Sequence, residues 1–314
     1  MSDIVLPATT TLEREDIGYS NKEQHMVAMR QVTPPVGDSR DDYAIFTGLA
    51  ERLGVAQTFT ENRSVSEWLE RMYEQSRESA AQADVQLPPF GAFWQAGHAT
   101  ITSETSTPTI LMKEFREDPV ANPLKTPSGK IQIYSDVIAG FEHDDCPGHP
   151  AWREPVEWLG AESAERFPLH LLSDQPTHRL HSQLDPSPYS TSGKVNGRQP
   201  MTMHPGDAAA RGIQDGDIVR VHNERGACLA GATISPDIRP GVVRLSTGAW
   251  FDPSDLASPK SLEKHGNPNV LTIDKGASSL SQGCIAQTCL VEVERFVGEV
   301  PAVTAHQPPE LLQR

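Results

Sequence analysis

Before about residue 160 the hydrophobic positions fall at helical spacing, and after it they alternate. Ile45, Leu49 and Leu53 recur at i, i+4 and i+8 behind the polar pair Asp38-Ser39, which reads as the N-cap. Gly54 stands where a helix C-terminus favours a left-handed glycine. A second helix is predicted to open at the capping box Ser64-x-x-Glu67, with Trp68, Leu69, Met72 and Tyr73 on one face. Its polar continuation from Glu74 to Asp84 reads as a frayed linker. Phe90, Phe93 and Trp94 form a short aromatic stripe suited to a core. Turn signals crowd residues 118–153, at Asp118-Pro119, Asn122-Pro123, Pro127-Ser128-Gly129 and Cys146-Pro147-Gly148, with one alternating strand predicted from Ile131 to Tyr134. That texture describes a long connector over the surface. The opening piece, Ile4 to Thr9, reads as a buried strand with no cap, which suggests a domain entered part-way.

From Phe167 the pattern is that of β-structure. Phe167 to Leu172 reads as a strand, and Pro205 to Gly212 as a short helix with Asp207 near its start and a glycine ending it. Asp215-Gly216 is a tight turn into a strand over Ile218, Val219 and Val221. Asn223-Glu224-Arg225-Gly226 is a hairpin turn to a returning strand, Leu229 to Ile234. Pro240-Gly241 leads into Val242 to Leu245. Short strands at this spacing with one short helix among them favour a closed β-barrel over a βαβ sheet. The organisation is mixed α+β: residues 1–160 with the connector, a barrel at 161–298, and a Pro-rich tail at 299–314.

Composition excludes several partners. The 314 residues carry 27 Lys+Arg against 42 Asp+Glu, a net charge of -15, which disfavours a nucleic-acid groove or an anionic membrane surface. No apolar run is long enough to span a membrane. Cys146, Cys228, Cys284 and Cys289 show no CxxC or finger spacing, so free thiols are expected in place of a zinc site, an iron-sulfur cluster or disulfides. No charged leader precedes the first apolar piece.

Familiar catalytic motifs are missing: no GxSxG, no P-loop, no GxGxxG and no HExxH. His178 and His181 lie three apart on an expected loop, which alone does not make a metal site. No residue is assigned a catalytic or metal-ligating role. What stands out is a polar loop, Arg179-Leu180-His181-Ser182-Gln183, and a second, Gly266 to Thr272. Arg179 offers a planar fork, His181, Ser182 and Gln183 short-reach donors and acceptors, and Asn269 and Gln287 amides that can meet a ring edge in two directions. Spacing alone leaves two readings open: these groups contact a ligand, or they tie down their own loops.

The wording of these loops resembles the bacterial molybdenum S- and N-oxide reductases, namely the dimethyl sulfoxide, trimethylamine N-oxide and biotin sulfoxide reductases. The likeness is carried by Ser173-Asp174-Gln175-Pro176-Thr177-His178-Arg179-Leu180-His181-Ser182-Gln183-Leu184, Asn196-Gly197-Arg198, Asp207 to Ile213, Gly216 to Val221, Gly248 to Pro253, Asn269 to Thr272 and Gln287 to Glu294. Upstream, Asp3 to Thr10 and Phe115 to Pro119 also fit, so the resemblance spans nearly the whole chain. Gly266-Asn267-Pro268-Asn269 and Lys194 to Arg198 lean toward the biotin sulfoxide branch.

The resemblance implies the remnant of an α/β domain followed by a six-stranded double-psi β-barrel. It implies a molybdenum bis(molybdopterin guanine dinucleotide) cofactor, and contacts to one dinucleotide from Ser173, Asp174, Gln175, Pro176, Arg179, His181, Ser182, Asn269, Ala286 and Gln287. Gln175 and Ala286 depart from the common histidine and glycine. Two-electron oxygen-atom transfer is the implied chemistry. The metal-ligating serine is expected upstream of this chain, which alone would be inactive; a separately encoded N-terminal half is one source, and a non-catalytic dinucleotide-binding module is the alternative. The biotin sulfoxide leaning implies a cytoplasmic protein, or a periplasmic one if a twin-arginine signal precedes it.

Overall fold

The computed structural model describes residues 4–20, 23–101 and 110–308, so Met1 to Asp3 and the last six residues of the expected tail lie outside it. The chain divides into two compact units, 1–122 and 123–314. The connector is thus grouped with the barrel.

The first unit holds more β-structure than its helical texture predicts. Strands β1 (Asp16–Gly18), β2 (His25–Met29) and β3 (His98–Thr100) form an antiparallel sheet in that order. Three residues are too few to show a period, which hid β1 and β3. Between β2 and β3 lie α1 (Asp42–Arg52), α2 (Ala56–Thr60), α3 (Val65–Ala81) and α4 (Phe90–Ala96), and α5 (Lys113–Glu117) follows. The cap of α1 is Asp41, whose side chain accepts from Ala44 N at 2.8 Å, and not Asp38-Ser39. Gly54 does take a left-handed φ of 72°. The Ser64/Glu67 capping box forms as read.

Helix α3 does not fray after Glu74. Tyr73 is fully buried and donates to Pro88 O at 2.9 Å, while Glu74 accepts from Phe90 N at 3.1 Å, so tertiary bonds hold the polar half. Tyr73 stacks on Phe93 at 4.3 Å between centroids, which makes the aromatic stripe the core of this unit. The opening piece is not a buried strand: Ile4, Val5 and Leu6 are exposed, and a single bridge joins Ala8 to Arg40. Alternation failed there for want of a partner strand.

The same failure occurs at Ile131 to Tyr134. These residues form no strand, and Ile131, Ile133 and Tyr134 are exposed. Helix α6 (Asp136–Ala139) follows, capped by Ser135. Beyond the connector come β4 (Leu169–Leu172), α7 (Pro188–Ser192), β5 (Pro200–Met203), α8 (Pro205–Ala209), β6 (Ile218–His222), β7 (Ala227–Ile234), β8 (Val242–Leu245) and β9 (Cys289–Arg295). The six strands close into a barrel ordered β4-β8-β5-β7-β6-β9. Two pairs, β4 with β8 and β5 with β7, run parallel between strands distant in sequence. These are the paired crossovers of a double-psi barrel.

Inward residues alternate as the pattern demands. Leu169, Leu171, Met201, Met203, Val219, Val221, Val243, Leu245, Val291 and Val293 are buried together. Strand β7 is buried on both faces: Glu263 bonds alongside Ala227 to Leu229, and the Val195–Arg198 turn lies over Gly231. A Cβ on Gly231 would lie 2.4 Å from Val195 Cβ, so only glycine fits beneath that turn. The connector is fastened at Glu157, whose carboxylate pairs with Arg225 at 2.5 and 3.0 Å and accepts from Leu290 N at 2.7 Å.

Candidate functional site

Parallel neighbours send their following loops out of the same end of a barrel. Because β4 and β8 are parallel, residues 173–199 and 246–288 emerge side by side. Strand β9 runs antiparallel to β4, with Leu171 opposite Cys289, so its entry residue Gln287 meets Ser173 at that end. All ten residues marked in the sequence lie on these two connections.

They divide into four groups. Ser173 and Gln287 form a reciprocal pair: Ser173 N donates to Gln287 Oε1 at 3.1 Å, and Gln287 Nε2 donates to Ser173 O at 2.7 Å. Ala286 is half-buried beside it. Asp174 accepts from Ser246 Oγ at 2.6 Å, and its carbonyl from Thr247 N at 2.9 Å, which welds the two connections together. Gln175 Nε2 lies 3.2 Å from His181 Nδ1. His181, Ser182 and Asn269 share a cleft of about 360 Å³ with Thr247, Gly248, Trp250 and Phe251. Pro176 and Arg179 line a second, smaller cavity of about 130 Å³ that also meets Lys194 and Arg244.

Arg179 is not the open fork its sequence context predicts. Its side chain is only 2% exposed, and its donors point at the protein. Nε reaches His181 O at 3.0 Å, Nη1 Ser190 Oγ at 3.4 Å, and Nη2 both Gln199 Oε1 at 2.8 Å and Thr247 O at 3.0 Å. Burial lowers its pKa while Asp185 opposes that shift. Arg179 therefore shapes the loop that carries His181 and Ser182. His181 itself sits at φ 50°, a conformation few side chains adopt unless the surroundings impose it.

Behind the cleft lies a buried polar hub that the sequence did not mark. Asp185 is fully buried and takes Lys194 Nζ at 2.8 Å, His306 Nε2 at 2.9 Å and Trp250 N at 3.2 Å. Burial pushes its carboxyl up, but the Lys194 and His306 bonds and the Lys194 charge overcome that and hold it at about 2. His265 is also fully buried; its Nε2 lies 2.9 Å from Lys194 Nζ and its Nδ1 2.9 Å from Trp250 O. An ammonium can only donate, so Nε2 accepts and Nδ1 carries the proton of a neutral ring. Burial, then the Lys194 charge, press its pKa down to about 4.

Glu263, fully buried, accepts four backbone N–H bonds, from Asp252, His265, Gly266 and Asn267, at 2.7 to 3.1 Å. Burial raises its carboxyl to about 7 against the pull of those donors. It folds 263–267 into a tight loop that presents Asn269. Asp185, His265 and His306 gather their ligand atoms closely enough to face a metal ion, but the Lys194 ammonium already bonds two of the three, Asp185 Oδ1 and His265 Nε2. No spacing rule marks Asp185, Lys194, Glu263 or His265, because they come together only when the two connections pack.

The chain matches two family descriptions: "Molydopterin dinucleotide binding domain" over residues 169–290 and "Molybdopterin oxidoreductase" over residues 1–52. It is 45% identical to a trimethylamine-N-oxide reductase of Haemophilus influenzae, over 99% of this chain and 38% of that protein. It is 44% identical to a dimethyl sulfoxide/trimethylamine N-oxide reductase of Rhodobacter capsulatus (96% and 37%), and 45% identical to a biotin sulfoxide reductase of Cereibacter sphaeroides (95% and 39%). Identities so alike set no branch above another. The chain spans under two-fifths of the length of these relatives. Among solved structures, acetylene hydratase from Pelobacter acetylenicus superposes with a TM-score of 0.67 at 18% identity, over 93% of this chain and 38% of that one, a likeness of fold. Among the described residues no helix is long and apolar enough to cross a membrane.

Proposed function

We propose that this chain, which matches the molybdopterin oxidoreductase and dinucleotide-binding descriptions, forms the wall gripping one dinucleotide of the cofactor in an enzyme that reduces S-oxides or N-oxides. The observation that carries this reading is the cleft of His181, Ser182, Gly248, Trp250, Phe251 and Asn269 at the mouth of the barrel. Trp250 and Phe251, 40% and 57% exposed, stand side by side on this cleft and offer flat faces for a heterocycle. Ser182 and the exposed Asn269 supply a hydroxyl and an amide for a ring edge. Gly248 lets the wall close on the 179–183 loop where any Cβ would collide with it.

Such a donor set fits a guanine dinucleotide, two of which the molybdenum cofactor of this reading carries. When bound, the cofactor supplies the oxygen-atom transfer. This chain's part is to bind and orient. Ser173 to Pro176, His181, Ser182, Asn269, Ala286 and Gln287 face the ligand, and Arg179 holds their loop from behind. The net charge of -15 offers no general attraction for a phosphate, so affinity rests on these local donors. The segment that ligates the metal belongs to the longer protein seen in the relatives, or to a separately encoded half. A cytoplasmic setting is proposed from the wording of the motifs alone, and a twin-arginine leader on the longer protein would place the enzyme in the periplasm.

Dye-linked reduction of trimethylamine N-oxide, dimethyl sulfoxide and biotin sulfoxide tests the reading. The 314 residues alone are expected to be inactive, and to support turnover when joined to or mixed with the upstream segment of a relative. Turnover by the chain alone would sink the division of labour. Inactivity of the combined protein toward all three substrates would sink the reaction class.

A further inference from the structure

Residues 299–308 follow β9 without regular structure, yet they are fastened like a strap across the cleft end of the barrel. Thr304 donates through N and Oγ1 to the two oxygens of Asp252, both at 2.6 Å, and Ala305 N adds a bond at 3.1 Å. Lys264 Nζ reaches Thr304 Oγ1 at 2.8 Å, and Arg198 Nη2 reaches Pro301 O at 2.5 Å. Two residues on, His306 enters the buried hub. Its Nε2 lies 2.9 Å from Asp185 Oδ2, and its ring stands edge-on to Trp250 and His265, with centroids 5.5 and 5.0 Å away.

The strap therefore holds residues 250–252 at both ends. Asp252 is held directly through Thr304 and Ala305. Trp250 is held by its ring against His306 and by its N–H, which shares Asp185 Oδ2 with His306 at 3.2 Å. Trp250 Nε1 in turn donates to Ser182 O at 2.8 Å, which joins the wall to the opposite loop. The residue between, Phe251, has no such ties and lies exposed on the cleft. The strap lies wholly beyond residues 169–290, where the dinucleotide-domain match ends.

We propose that Thr304 and His306 are positioning residues: the strap fixes Trp250 to Asp252 as the aromatic wall of the cleft and so raises its affinity for the dinucleotide. The consequence for binding rests on the function proposed above. The physical basis is preorganisation, since a wall already held in place loses less freedom when a ligand is bound. Loops lacking such ties open locally while the strands beneath stay closed.

Hydrogen exchange and guanosine diphosphate binding on the full 314-residue chain test this. The pair T304A/H306A is expected to exchange residues 249–252 roughly tenfold faster, with the barrel strands unchanged. It is also expected to bind guanosine diphosphate roughly tenfold more weakly than the parent. T304A/H306Q, whose side-chain amide can still donate to Asp185, is expected to exchange more slowly at 249–252 and bind more tightly than T304A/H306A. Unchanged exchange in the double variant overturns the inference, as does faster exchange with unaltered nucleotide affinity. Acceleration throughout the barrel would make the strap a general element of the fold and also overturns it. If the parent chain binds no nucleotide while the variant still exchanges faster at 249–252, the positioning stands and the dinucleotide reading falls.

Discussion

Gly248 and His181 meet backbone to backbone: a Cβ on Gly248 would stand 1.8 Å from the His181 carbonyl oxygen. Gly248 has φ 91° and His181 φ 50°, so the closest approach of the two connections is built from two unusual conformations. The same His181 carbonyl accepts from Arg179 Nε at 3.0 Å. This junction sets the spacing between the polar loop and the aromatic wall.

Gly248→Ala is therefore expected to separate the two connections while leaving the barrel folded. The strained backbone and the collision should cost roughly 1–3 kcal/mol in the urea unfolding free energy. Guanosine diphosphate affinity should fall with it. A variant with parental stability and affinity would mean the junction is more compliant than its geometry allows.

Arg179→Lys tests whether the fork is structural. A lysine can reach one of the four partners but cannot span His181 O, Gln199 Oε1 and Thr247 O together. The expected loss is on the order of 2–4 kcal/mol, because Asp185 and the loop carbonyls are left with fewer donors. Parental stability with lost nucleotide binding would instead return Arg179 to direct ligand contact.

Removing the connector's anchor should destabilise the barrel without touching the cleft. Glu157→Ala leaves Leu290 N and the Arg225 guanidinium short of an acceptor, at a cost of roughly 1–3 kcal/mol. Chemical denaturation measures it, and nucleotide affinity should hold.

The pH dependence follows from the hub. His265 titrates near 4 in the fold against an ordinary 6.5, so the unfolded chain binds the extra proton between these values. Stability is then lost as pH falls from 6.5 through 4. Asp185, held at about 2 against 3.8, adds a further loss below 3.8. Glu263 has the opposite sign: raised to about 7 from 4.5, it favours the fold at low pH and withdraws that support as pH rises through 7. Urea midpoints from pH 3 to 8 should show His265→Gln with a flatter acid limb than the parent and Glu263→Gln with a flatter limb toward pH 7. A His265→Gln acid limb as steep as the parent's would place the titration elsewhere.

Much of this was written in the sequence. The capping box, the Asn223–Gly226 hairpin turn and the alternation of β6 and β8 are local signals, and local signals survive folding. Strand β5 was missed because Pro200-Met201-Thr202-Met203 is four residues long and opens on a proline. The strand expected at Ile131 to Tyr134 had the right period and no neighbour to pair with. At the cleft, the loops could be read but the orientation of Arg179 could not, since it depends on Thr247 and Gln199, 68 and 20 residues away. The hub was invisible for the same reason: Asp185, Lys194, His265 and His306 are neighbours only after the barrel closes.

The central claim is that the cleft at the barrel mouth takes the nucleotide end of the cofactor. Titration calorimetry of guanosine diphosphate into the 314-residue chain, and into its Asn269→Ala and Ser182→Ala forms, tests it most directly. The expected result is saturable binding by the parent chain and at least about a tenfold weaker affinity in each variant. Absence of binding by the parent, or equal affinity in all three proteins, would contradict it.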